Sequence, residues 1–124
     1  MGDRHVLICW VNGTDAEGIS YIQTVQLLGG PGNYNFFTPS VVRQQDAPSE
    51  TFALGDFTRA ERDKLIELAR VVKYVRTSRV NSCRTWTRDL LTAMVEEGLL
   101  VRRRFEEIDQ AVPLKRRLPE NDCL

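Results

Sequence analysis

Only one histidine, His5, occurs among the 124 residues, and the three cysteines, Cys9, Cys83 and Cys123, show no Cys-x-x-Cys spacing. That scarcity leaves no ligand set for a tetrahedral transition-metal site, and an odd, unpaired cysteine count argues against a disulfide framework. A reduced, cytoplasmic setting is the expectation, with no metal and no cofactor. No apolar run approaches the ~20 residues needed to cross a bilayer. The apolar segment 6–11 is too short for the core of a secretory signal, so none is expected. Gly2 invites an N-myristoylation reading, but Val6 stands where that motif needs Ser or Thr. Net charge is lacking too, because seventeen basic side chains balance seventeen acidic ones.

The balance is uneven along the chain. Residues 1–57 carry two basic and six acidic side chains, and residues 58–124 carry fifteen and eleven. Two basic triplets, Arg102-Arg103-Arg104 and Lys115-Arg116-Arg117, suit phosphate contacts. Glu106, Glu107, Asp109, Glu120 and Asp122 dilute both, so nucleic acid is not an expected partner. With 42% hydrophobic and 27% charged residues, the composition is that of an ordinary globular chain. Its length fits a single domain over 1–124, divided into strands in 1–57, helices in 58–112 and a tail from 113.

Residues 5–11 are rich in β-formers and end at Asn12-Gly13, a strong turn signal. Strand alternation groups His5, Leu7, Cys9 and Val11 on one face. A second strand is expected over 19–28, returning after 14–18. The stretch 29–33, Gly-Gly-Pro-Gly-Asn, reads as a breaker loop. No helix follows that could hold a phosphate at its N-terminus, which excludes a P-loop. Residues 34–42 form a third extended run, which Pro39 demotes towards an edge or a bulge. Residues 43–50 are polar and contain Pro48, and read as a loop.

Thr58-Arg59-Ala60-Glu61 spells a capping box. Leu65, Leu68, Ala69, Val72 and Val75 then mark a buried stripe, predicting a helix over 59–75. A second helix is predicted over 82–97, capped by Asn81 or Ser82, with Cys83, Trp86, Leu90, Leu91 and Met94 on its apolar face. Gly98 fits the left-handed residue that ends it, with Leu99 meeting Met94. A third helix spans about 101–111 until Pro113 stops it. Residues 118–124 read as a frayed tail with Cys123 exposed. The fold class is therefore α+β: a small antiparallel sheet of about three strands packed by two or three helices.

The chemistry rests on few residues. A thiol in the first turn of a helix sits among unpaired N–H groups that favour thiolate, so Cys83 is a candidate nucleophile; equally, a cysteine so placed serves as a small core residue. If the cap stays at Asn81, the extra residue Ser82 turns the thiol by about 100°. His5 is the only candidate base. Gln23, mid-strand beside the histidine strand, is the candidate to orient the imidazole, with Tyr21 on the same face; both also suit ordinary strand positions. Cys9 cannot serve with His5 within one strand, since four residues span about 13 Å. Any oxyanion hole would use the Cys83 N–H.

A strand opening with histidine, followed much later by Asn-(Ser)-Cys-x-x-Trp at 81–86, resembles a group of small fungal proteins of unassigned function. That group is similar to the circularly permuted papain-like proteins, which include lecithin:retinol acyltransferase relatives and NlpC-type peptidases. The resemblance covers about 5–100, with 81–86 its specific part. Val6 stands where the fungal pattern has tryptophan, Ser82 interrupts Asn-Cys, and the upstream strand usual in such families has no counterpart. The resemblance implies a papain-like arrangement and a thiol enzyme for acyl transfer or amide/ester hydrolysis. Cys83 would be its nucleophile, His5 its base and Gln23 the imidazole's partner, acting on a small-molecule or acyl substrate. The alternative is a non-catalytic binding or accessory protein of the same fold in which Cys83 is core packing.

Overall fold

The capping box at Thr58 is formed as its residues require. The Thr58 N–H donates to Glu61 Oε1 at 2.8 Å and the Glu61 N–H returns to Thr58 Oγ1 at 3.2 Å. The computed structural model in which this is seen describes residues 7–30, 32–36, 40–44, 52–112 and 114–120. Its elements run β1 (Ile8–Thr14), β2 (Ser20–Val25), β3 (Leu27–Gly30), β4 (Asn33–Phe36), β5 (Ser40–Gln44), α1 (Arg59–Val71), α2 (Cys83–Glu96) and α3 (Arg102–Ala111). The class is α+β. Strands pair antiparallel as a three-stranded sheet in the order β1-β2-β5 and as a separate β3-β4 hairpin.

The strand boundaries differ from the sequence reading in three places. First, β1 runs through Asn12-Gly13 rather than ending there. Val11 pairs with Ile22 and Gly13 with Tyr21, so Asn12 is the extra residue of a bulge. The turn forms later because Asp15 organises it: its Oδ1 accepts from the Glu17 and Ile19 N–H groups at 2.9 and 3.0 Å, and Gly18 takes φ +82°. Second, the strand expected over 19–28 changes partners at Gln26. Val25 and Leu27, two residues apart and both buried, carry the core face from one sheet to the other. Third, Gly29, Gly30 and Asn33 are ladder residues rather than loop, with Gly29 opposite Tyr34 and Gly30 opposite Asn33. The third run is thereby divided into β4 and the edge strand β5, which also takes in Arg43 and Gln44, read as loop from the sequence but paired with Tyr21 and Ser20 of β2. Pro39 and residues 45–51 lie outside the described residues.

Helix α1 stops four residues short of Val75. The backbone beyond it is claimed from outside: the Tyr34 N–H donates to Arg76 O at 2.6 Å and the Gly32 N–H to Ser78 O at 2.9 Å. Val72 accordingly turns extended, and Val75, expected in the buried stripe, is 41% exposed. Leu65 and Ala69 remain buried, with Leu68 and Val72 packed against the core. Helix α2 ends as its glycine implies. Gly98 has φ +78°, its N–H reaches Val95 O at 3.1 Å, and the Leu99 N–H reaches Met94 O at 2.8 Å, a complete Schellman motif. After α3, Val112 is extended (φ −101°, ψ 141°), as a residue before proline must be.

Helix α2 is the central element and packs against α1, α3 and β3. Trp86, Leu90, Leu91 and Met94 are buried along its length, in one cluster with Ile8, Val25, Leu27, Leu65 and Phe105. No helix among the described residues is long and apolar enough to cross a membrane.

Candidate functional site

The start of α2 is shaped by polar side chains with different tasks, Ser78, Ser82 and Thr85 among them. Ser78 comes first: buried, its Oγ accepts the N–H groups of Val80 and Asn81 at 3.3 and 3.0 Å, and this turn aims the chain into the helix. Ser82 is the cap. Its Oγ accepts the Arg84 N–H at 3.2 Å, and its own N–H donates to Thr85 Oγ1 at 3.3 Å, so the buried Thr85 stands where a capping box commonly has Glu or Gln. With Ser82 as cap, Cys83 is the first helical residue and shares a face with Trp86 and Leu90. It is 8% exposed and belongs to the core cluster. The inward direction expected of the thiol is therefore kept, because the cap moved with the extra serine.

Asn81 is left with a spare carboxamide, which turns to the C-terminal segment. Its Oδ1 accepts the Leu118 N–H at 2.8 Å; its Nδ2 donates to Leu118 O at 2.8 Å and to Glu120 Oε2 at 2.8 Å. Asn81 is only 5% exposed. Residues 118–120, expected to fray, are thus held. Beside them Arg117 donates through Nε to Asp89 Oδ2 at 2.6 Å and through Nη2 to Lys73 O at 2.8 Å. Local pattern held no signal for this contact beyond an asparagine next to a serine that caps equally well.

Of the three residues that the resemblance brings together, the described geometry contains two. Cys83 lies in the core at the start of α2. Gln23 sits half-buried in mid-β2, paired with Trp10 and Val41. The pairing puts it on the sheet face that carries Ile8 and Trp10, both packed in or against the core. His5 and Cys123 lie outside the described residues. Of the strand face grouped with His5, Leu7 precedes β1 and is half-buried, while Cys9 and Val11 alternate away from Ile8; Val11 is 56% exposed. Burial pushes the Cys9 thiol up from its ordinary range. Tyr21 has a local task, since its hydroxyl donates to Asp15 Oδ2 at 3.2 Å and braces the β1–β2 turn.

Among the described residues no cluster of three His, Cys, Asp or Glu side chains could hold a metal ion. An open groove of about 520 Å³ lies at the exit of α1, lined by residues 70–75 and Arg117, away from Cys83 and Gln23. No family model matches the chain, and neither known proteins nor solved structures yield a match.

Proposed function

We propose that the chain is a non-catalytic binding or accessory protein, working in the cytoplasm, in which the Asn-Ser-Cys-x-x-Trp segment is structural. The observation that carries this reading is the division of labour at 81–83: Asn81 fastens the C-terminal segment, Ser82 caps the helix, and Cys83 fills core space at 8% exposure. Each residue has a packing or hydrogen-bonding task that needs no substrate. The open groove at the exit of α1 is lined by other residues. The test is the pH dependence of Cys83 alkylation, with Cys9 and Cys123 replaced by serine. A rate far below that of free cysteine throughout fits the proposal; a rate above that of free cysteine at neutral pH would overturn it.

A second reading rests on a different observation, the place of Cys83 at the first helical residue, where its own N–H is positioned to meet an oxyanion. Under it the chain is a small papain-like hydrolase or acyltransferase. Cys83 attacks an acyl carbon to give a thioester, His5 takes the thiol proton and passes it to the leaving group, and Gln23 orients the imidazole. Cys83→Ser and His5→Ala would then each abolish turnover of an acyl substrate without disturbing the fold. Retention of full biological activity in both variants would eliminate this reading.

A further inference from the structure

We propose that residues 114–120 form a releasable strap across the start of α2, latched by Asn81, and that its opening controls access to the Asn81–Cys83 end of the helix. The strap is rooted by Leu114, which packs against the core. Beyond that point it buries little: residues 115–119 are exposed and Leu118 is 53% exposed. What holds it is polar. The Asn81 carboxamide takes both backbone groups of Leu118 and the Glu120 carboxylate, and Arg117 bridges Asp89 and Lys73 O.

Such a segment opens separately from the fold beneath it. When it lifts, water replaces each of these bonds, and no orphaned donor or acceptor is left in an apolar setting. The core cluster under α2 is apolar and keeps its own contacts. Local opening of this kind lies at the low end of a protein's range of stabilities, well below global unfolding. The hinge lies just beyond Leu114, where the chain leaves the core and residues 115–119 become exposed. Closed, the strap bonds to Asn81, which is 5% exposed and precedes Cys83 by two positions in the chain. Arg117 also forms one wall of the groove at the α1 exit, so opening alters that groove as well. The inference holds under either functional reading, since it concerns access and not chemistry.

The experiment uses the full chain with Cys83 as its only thiol and N-ethylmaleimide as the probe. Loss of about three hydrogen bonds in Asn81→Ala should speed alkylation about tenfold or more. Arg117→Ala, which leaves the helix start untouched, should speed it severalfold. Both rates should be independent of urea below the unfolding transition, and the Leu118 amide should exchange faster than the interior amides of α2. Parental alkylation rates in both variants would overturn the proposal. So would rates that climb with urea in step with global unfolding, since access would then follow collapse of the whole fold.

Discussion

At the scale of single residues, the serine at 82 and the cysteine at 9 make the most direct claims. Ser82 Oγ supplies an acceptor to a helix whose first turn holds Cys83, so the cap sets both helix stability and thiol direction. Ser82→Ala removes that acceptor and should cost about 1 kcal/mol in urea unfolding, with Ser82→Asp near the parent. Equal losses in the two variants would mean that the Oγ acceptor is not the source of stability. Cys9 makes a pH-dependent claim. Burial raises its pKa, so the folded chain keeps the proton where the unfolded chain has lost it. Its contribution is fully present below the ordinary thiol range and declines as pH rises through it, because unfolding then releases a proton. The melting temperature should fall between about pH 8 and pH 10, and fall less in Cys9→Ser. Coincident slopes for parent and variant would show that Cys9 is not responsible.

At the scale of elements, two glycines with positive φ separate conformational strain from steric clash. Gly98 has φ +78° and open space where a Cβ would go. Gly98→Ala should therefore cost only the left-handed penalty, about 1 kcal/mol, or roughly 4 °C in melting temperature. Gly29 has φ +109°, and a Cβ there would collide with the Asn33 carbonyl oxygen and come within 2.9 Å of the Tyr34 Cα. Gly29→Ala should cost about 3 kcal/mol, because backbone on the paired strand cannot step aside. Thermal melts that rank the two variants equally would contradict the close approach in the β3–β4 hairpin. The same contrast explains what could be read before the fold was known. Helix starts and the α2 ending depend on residues within four positions of one another, so Thr58, Glu61, Ser82 and Gly98 announced them. Strand limits depend on distant partners. Nothing near Gln26 shows that β2 will hand over to β3, and nothing near Val72 shows that Arg76 and Ser78 will serve the β3–β4 hairpin. The site divided in the same way: the inward thiol was legible from its spacing to Trp86 and Leu90, whereas the Asn81 latch joins residues 37 apart.

At the scale of the whole molecule, α2 fastens its neighbours through adjacent residues. Asp89 holds the strap through Arg117, and Arg88 holds α3 through Asp109. The Arg88 contact is a fork, with Nε to Asp109 Oδ1 at 2.9 Å and Nη2 to Oδ2 at 3.1 Å, and its guanidinium lies 5.2 Å from the centroid of the buried Phe105 ring. Hydrogen bonding to Asp109, with the attraction of Asp109 and Asp89, outweighs desolvation and holds the guanidinium above its usual range, so the cation persists at every accessible pH. The Arg88 and Asp109 side chains are 17% and 27% exposed, which takes the pair out of the class of surface bridges worth almost nothing. Arg88→Ala should destabilise by about 2 kcal/mol, losing the fork and the ring contact together. Arg88→Lys keeps the charge but cannot present two parallel donors, and should lose about 1 kcal/mol. Combining Arg88→Ala with Asp109→Ala should cost less than the two single losses by about 1 kcal/mol, the coupling that belongs to the pair. A lysine variant as stable as the parent, with strictly additive alanines, would mean that α3 is held by Phe105 and Ile108 alone and that the fork follows the packing without supporting it.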